Sequence, residues 1–385
     1  MKKSYLALAL GTLGLGISEY VMMGILPDIA ADFGVSIPFT GQLISWYAIG
    51  VCVGAPSIVL FARKTPLKRT LLFLVALFCV GNLLSSIAST YMLMACSRFI
   101  AGLPHGAYFG VGSIVASKLA PRGKENAAVA AMISGMTIAN LAGVPVGTFL
   151  SHTISWRITY GLVGLWGFVT FFALWRWIPY MAPMPDTGFK GQFRFLKSWV
   201  PWLLILAIMF GNGGIFCWYS YISKVMTQVS GFSEDSLSFI MIIAGMGMVT
   251  GNILAGRFSD KYSPEYIAMI TQAIAACVLI GIFFLASHPI ISVALMFVGT
   301  GCLFALSAPQ QIMLLKNSEG GQLLGASLAQ AAFNLGNAIG AFAGGIPAEM
   351  GYSYEHTAVP GVFFALIGFA LLYFYYKRQV HFSFN

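Results

Sequence analysis

The sequence predicts an all-α membrane protein of twelve transmembrane helices, arranged as two pseudo-symmetric six-helix bundles. Three observations predict it. First, only 9% of the 385 residues are charged and 58% are hydrophobic, whereas soluble chains carry about 25% charged residues. The mean hydropathy of +0.83 describes the whole chain, so the deficit is not one anchor on a soluble domain. Second, apolar runs of about 18 residues or more, long enough to cross a bilayer as a helix, recur from end to end. Third, the two halves of the chain echo each other.

The runs fall near 4–26, 40–62, 70–89, 92–119, 127–150, 157–178, 199–222, 235–257, 265–286, 290–315, 323–347 and 359–376. Lipid offers no partner to a backbone N–H or C=O, so runs of this length fold as helices; the short alternating segments of a membrane barrel do not occur. Lys2-Lys3 before an apolar run has the look of a signal peptide. The run to Leu26 is too long for one, lacks a small-residue cleavage site and contains Glu19, so it reads as the first span.

Orientation follows from Lys and Arg. Of 21 such residues, 18 fall on the side of the N-terminus, Arg157 and Lys224 fall on the other, and Arg98 lies within a span. Both termini are therefore expected in the cytoplasm of a bacterial inner membrane. The same distribution removes the nucleic-acid reading of the +9 net charge, because the cations sit in short loops between apolar runs. The longest cytoplasmic connection, 179–198, contains Pro179, Pro183 and Pro185 and lies at the midpoint. It divides an N-terminal six-helix bundle, 1–178, from a C-terminal one, 199–385.

The internal echo is a repeat at nearly one offset. Asn140 in the fifth span answers Asn334 in the eleventh, 194 residues on. Gly54, followed by Arg63-Lys64, answers Gly251, followed by Asp260-Lys261, 197 residues on.

One carboxylate, Glu19, lies deep in a span. It stands 7 residues before Leu26, and Arg98 stands 7 residues after Tyr91, where the fourth span enters from the outside. Both then lie about 10 Å below the outer surface at 1.5 Å per residue. Each costs at least about 2.5–3.5 kcal/mol to insert, and the matching depth allows them to partner, directly or through water, if spans 1 and 4 are neighbours. A guanidinium favours the ionised acid and desolvation the neutral one, so a carrier that changes this balance couples protons to transport. The bland alternative is a fixed pair that locks two helices. His105 lies two turns further in, as a proton carrier or as a neutral ring satisfied beside Pro104.

Amides and aromatic residues recur at similar depth: Gln42, Tyr47, Asn140, Asn212, Tyr219, Gln310, Gln311, Asn334 and Asn337. Asn212, Phe216 and Tyr219 share a helix face. Singly such residues hold helices together; collectively they line a cavity for a neutral, hydroxyl-bearing or amphipathic ligand. Tyr20, Met23 and Tyr108 complete the candidate binding set. The six cysteines have no metal spacing and read as small packing residues. The glycine-rich stretches follow no strand and lack Gly-Lys-Ser/Thr, so they are not phosphate loops. No catalytic constellation is present, so an enzyme is not expected, and no cofactor beyond the proton as coupling ion.

The run Arg98-Phe99-Ile100-Ala101-Gly102-Leu103-Pro104-His105-Gly106-Ala107 resembles the fourth-span motif of the twelve-span drug:proton antiporter branch of the major facilitator superfamily. It is similar in particular to AraJ-type permeases, near the sugar-efflux branch. Ser134 to Asn140, Phe304 to Pro309 and Gly325 to Gly345 extend the resemblance over nearly the whole chain. It implies two six-helix bundles around a cavity lined by spans 1, 4, 7 and 10, with substrate near the midplane. It implies proton-coupled export, with Glu19 and Arg98 carried over as coupling residues and Arg63, Lys64, Asp260 and Lys261 as gating residues. Two departures stand out. Ala62-Arg63-Lys64-Thr65-Pro66 lacks the acid usual after the second span, whereas Gly256 to Lys261 keeps it. In the fifth span Val144 separates Gly143 from Pro145, where the antiporter motif has them adjacent. The expected function is thus proton-coupled efflux of a small organic molecule, a sugar or drug, by a monomer in the lipid bilayer. Proton-coupled uptake is the nearest alternative, and an integral-membrane receptor or enzyme a remote one.

Overall fold

The structure is a computed structural model that describes residues 2–121, 125–183, 188–258, 262–319 and 321–383. Its long helices are α1 (Lys2–Phe33), α2 (Ile37–Phe61), α3 (Leu67–Ser86), α4 (Tyr91–Lys118), α5 (Glu125–Ile138 continued by Val144–Thr153), α6 (Trp156–Trp177), α7 (Trp199–Tyr219), α8 (Leu237–Phe258), α9 (Pro264–Leu285), α10 (Pro289–Lys316), α11 (Gln322–Glu349) and α12 (Ala358–Ser383). Eleven are long and apolar enough to cross a membrane. The other, α11, has 28 residues and a single charge, Glu349, at its last position.

Helix starts are written locally. Ser36, Thr90, Ser155, Ser198 and Ser263 each precede a helix and accept a hydrogen bond from a first-turn N–H, at Phe39, Leu93, Arg157, Val200 and Tyr266. At Gly34 the backbone takes φ +64°, which lets the chain reverse between α1 and the Ser36 cap.

Three elements differ from the sequence expectation. α1 runs on to Phe33, past Leu26, so Glu19 sits nearer the middle of its helix than the sequence arithmetic placed it. α5 is interrupted by a π-helical turn, Ala139–Gly143, in which Val144 N–H bonds to Ala139 C=O. Pro145 has no N–H to continue the α-ladder, so the register slips by one. The seventh span ends at Tyr219; Ile222–Lys224 form a separate turn of helix.

Within the first half α2 packs on α4, α3 on α4 and α6, and α1 on α5. In the second, α8 packs on α10, α9 on α10 and α12, and α7 on α11 and α12. The two halves meet along α2–α11 and α5–α8, that is, second helix against fifth in both directions. The repeat extends to atomic contacts. A Cβ at Gly50 or Gly54 would stand 2.2 or 2.1 Å from the carbonyl oxygen of Phe99 or Leu103. At Gly247 and Gly251 the same atom would stand 2.3 and 2.0 Å from those of Phe297 and Gly301. The α2–α4 and α8–α10 seams are thus the same glycine-mediated approach used twice.

The two ends of the bundle differ. On the side away from the termini the halves are joined. Tyr221 donates to the Ala341 carbonyl within the second half at 2.8 Å, and its hydroxyl is seated against Gly41 of α2 in the first. Val144–Thr153 of α5 lies along α8. On the terminal side Glu125–Ile138 barely touches α8, and the two helices diverge.

Candidate functional site

A cavity occupies that divergence. It begins at Glu19 and Tyr20 of α1 and reaches toward the terminal side past His105 and Phe109 of α4, Ile133 and Met136 of α5, and Asn212 of α7. Asn252 of α8, Leu303, Phe304, Ser307, Ala308 and Gln311 of α10, and Gln330, Phe333, Asn334 and Asn337 of α11 complete the wall. The cavity's volume is about 110 Å³. α1, α4, α7 and α10 line it as the resemblance implies, joined by α5, α8 and α11.

Glu19 closes the inner end. Gly16, one turn before it, admits the α5 π turn: a Cβ there would stand 2.8 Å from the Ala139 methyl. The carboxylate is only 6% exposed. Its Oε1 accepts from Asn337 Nδ2 at 3.2 Å, and its Oε2 lies 3.7 Å from His105 Nε2. Asn337 belongs to the second half, so this hydrogen bond ties one half of the molecule to the other. His105 in turn shares a 2.8 Å hydrogen bond between Nδ1 and the Tyr47 hydroxyl.

Arg98 is not ion-paired to Glu19. Its guanidinium lies over the Tyr47 ring, 4.2 Å from the centroid, and 5.3 Å from that of Tyr160. It donates to Ser18 Oγ at 3.3 Å, while Ser18 donates to Asn82 Oδ1 at 2.7 Å. Its Nε and Nη2 are buried without a partner. In place of a direct Glu19–Arg98 contact, Tyr47 touches both Arg98 and His105, and His105 faces Glu19. The level of Glu19 is that of His105, because α1 extends beyond the end assumed from sequence.

Of the other sequence candidates, Tyr20, Asn212, Gln311, Asn334 and Asn337 line the cavity. Phe216 and Tyr219 stand behind Tyr20, with ring centroids 6.3 Å from its own, and form an aromatic backing to the cavity's inner end. Four residues lie elsewhere. Met23 is buried in the core beyond the cavity. Tyr108 turns into the first half and donates to the Leu8 carbonyl at 3.1 Å. Gln310 is fully buried behind the wall, near Gly211 and Gln272. Asn140 spends its amide on the Met136 carbonyl, as its repeat partner Asn334 does on Gln330, each at 3.0 Å. Asp260 and Lys261 lie outside the described residues, as does the Arg63 side chain; Lys64 belongs to the short turn after α2. Sequence reasoning passed over Asn252 and Gln330, although each is an amide within an apolar run, and over the apolar liners Phe109, Phe304 and Phe333.

The wall has a distinct chemistry. Its charged or chargeable groups among the described residues include Glu19 and His105, and no Lys or Arg among them lines it. The side-chain oxygens of Asn212, Asn334 and Asn337 are buried and have no donor within the protein. Such acceptors are satisfied by water or by ligand hydroxyl and amine groups.

Comparison with known proteins agrees with this architecture. The family model described as Major Facilitator Superfamily matches residues 8–326. The chain is 48% identical over 381 residues to the "Putative transporter AraJ" of Escherichia coli K12, covering 98% of this chain and 97% of the relative. It is 27% identical to a "Probable sugar efflux transporter" of Helicobacter pylori P12, covering 86% and 84%. Among solved structures the "D-xylose-proton symporter" superposes with a TM-score of 0.74 at 17% identity, covering 95% of this chain and 96% of that one, a likeness of fold.

Proposed function

Because the chain belongs to the Major Facilitator Superfamily and is a multi-pass membrane transporter, we propose that it exports a small organic molecule in exchange for protons by alternating access. The molecule is of the sugar or drug-like kind. Supporting this reading are the AraJ and sugar-efflux relatives and the bias of basic residues, which favours both termini in the cytoplasm of a bacterial inner membrane. The cavity then opens to the cytoplasm, where cargo for export resides.

The observation that carries the coupling role is the hydrogen bond from Asn337 to Glu19 across the two halves. An ionised carboxylate accepts a charge-assisted bond, roughly twice as strong as a neutral one. Ionised Glu19 therefore favours the conformation seen here, and a proton on Glu19 weakens the tie. A ligand hydroxyl or amine that replaces Asn337 at Oε1 also releases it, so cargo and proton act on one contact. This is the requirement of exchange: either ligand frees the halves to move, and neither needs the other at the same time. His105 and Tyr47 orient the carboxylate, and Arg98 holds a fixed positive charge behind them.

The test uses purified protein and a ligand found by thermal shift across sugars and drug-like amphiphiles. In proteoliposomes with the terminal side outward, an acid lumen drives the ligand inward against its gradient if the protein exchanges it for protons. Accumulation only with an alkaline lumen assigns uptake by symport instead.

A further inference from the structure

We propose that the outward-facing groove between α8, α9 and α10 is a binding site for one acyl chain of an anionic phospholipid in the leaflet on the terminal side. The groove has a volume of about 430 Å³ and is separate from the transport cavity. Neighbouring residues of the α8–α10 seam divide the two: Gly251 and Cys302 face the groove, Asn252 and Leu303 the cavity. The seam is narrow there because Gly251 lies directly against the Gly301 backbone, which recesses the floor of the groove.

Its length selects the occupant. Along α8 the groove runs from Gly247 to Phe258, about 16 Å at 1.5 Å per residue. One leaflet contributes about 15 Å of the roughly 30 Å hydrocarbon layer. The groove therefore begins at one membrane surface and ends near the midplane, as an acyl chain does. Among the described residues no charged side chain lines it, and its rims are open to lipid, with Ile274 44% and Val298 43% exposed.

The mouth has the composition of an interface. Phe258, Tyr262 and Tyr266 form a file of rings there, with successive centroids 6.3 and 5.5 Å apart. Aromatic residues of this kind settle at the head-group level. Arg257, exposed on the last turn of α8, immediately precedes Phe258 of that file in the chain. A cation at the mouth favours a negative head group.

The full chain is purified from membranes containing phosphatidylglycerol and phosphatidylethanolamine and examined by native mass spectrometry under stepwise delipidation. The wild type retains a last, single phosphatidylglycerol. Ile274→Trp, which fills the groove from its rim, loses that lipid. Arg257→Gln keeps a lipid but no longer prefers phosphatidylglycerol. Phe284→Trp, on an exposed position outside the groove, retains the wild-type pattern and controls for the added indole. Size-exclusion profile and thermal unfolding establish that each variant is folded. Retention of the lipid by folded Ile274→Trp, or a wild type that holds none, overturns the proposal. So does a wild-type dimer that Ile274→Trp dissociates, which assigns the groove to a second copy of the chain.

Discussion

Asn337→Leu is the perturbation that isolates the tie between the halves. Asn337 gives one amide hydrogen to Glu19 Oε1 at 3.2 Å, and its own oxygen has no donor in the protein. Leucine keeps the branched shape with slightly larger methyl groups, and removes that donor together with the oxygen, which has no partner in the protein. A hydrogen bond to a charged group contributes about 1.5–3 kcal/mol, and each 1.4 kcal/mol is a factor of about ten in an equilibrium constant. The balance between the conformation described here and its opposite should therefore move about tenfold or more toward the opposite one. The assay is thiol labelling in a background without native cysteines. Asn252→Cys reports from the terminal-side wall of the cavity, and Ser223→Cys, at a buried hydroxyl without a partner in the turn that meets α1, from the seam on the other side. Asn337→Leu should slow labelling at 252 and speed it at 223. Unchanged rates at both positions would refute the idea that this bond holds the two halves.

Other consequences follow from the same geometry. Tyr47→Phe removes the hydroxyl that meets His105 Nδ1 but keeps the ring beneath Arg98; proton-driven transport should fall while folding and ligand-induced thermal shift persist, and loss of both would mark Tyr47 as structural. Gly54→Ala and Gly251→Ala each place a methyl within about 2 Å of a backbone oxygen and should destabilise by about 1–3 kcal/mol through overpacking. Gly256, with nothing within 4 Å of an added Cβ, should gain about 0.5–1 kcal/mol as alanine; unfolding in denaturant compares the three. Gly41→Ala puts a methyl 2.4 Å from the Tyr221 hydroxyl, expelling it from the Ala341 carbonyl, and should raise thiol access from the side away from the termini.

The architecture was legible because bilayer physics writes it plainly: long apolar runs from end to end, and an internal repeat in which Gly54 is answered by Gly251. So was the isolation of Glu19, Arg98 and His105, since a titratable group in an apolar run needs no alignment to be seen. What sequence could not supply was rotation about each helix axis. In helices that are apolar all round, the polar–apolar periodicity that marks a face is missing. Met23 and Tyr108 were therefore assigned to a cavity they turn away from, and Gln310 was taken for a liner when its neighbour Gln311 is one. The direct Glu19–Arg98 contact is absent for a related reason. Depth was counted from an assumed helix end at Leu26, and α1 continues to Phe33. The relay through Tyr47 depends on α2 lying against α4 at Gly50 and Gly54, which is tertiary information.

Glu19→Gln tests the central claim most directly. The amide is nearly isosteric and its oxygen can still accept from Asn337, but it carries neither charge nor exchangeable acid proton. Exchange of labelled for unlabelled ligand across the proteoliposome membrane should continue, while accumulation driven by a pH gradient disappears. Gradient-driven accumulation at the wild-type level in Glu19→Gln would contradict the account.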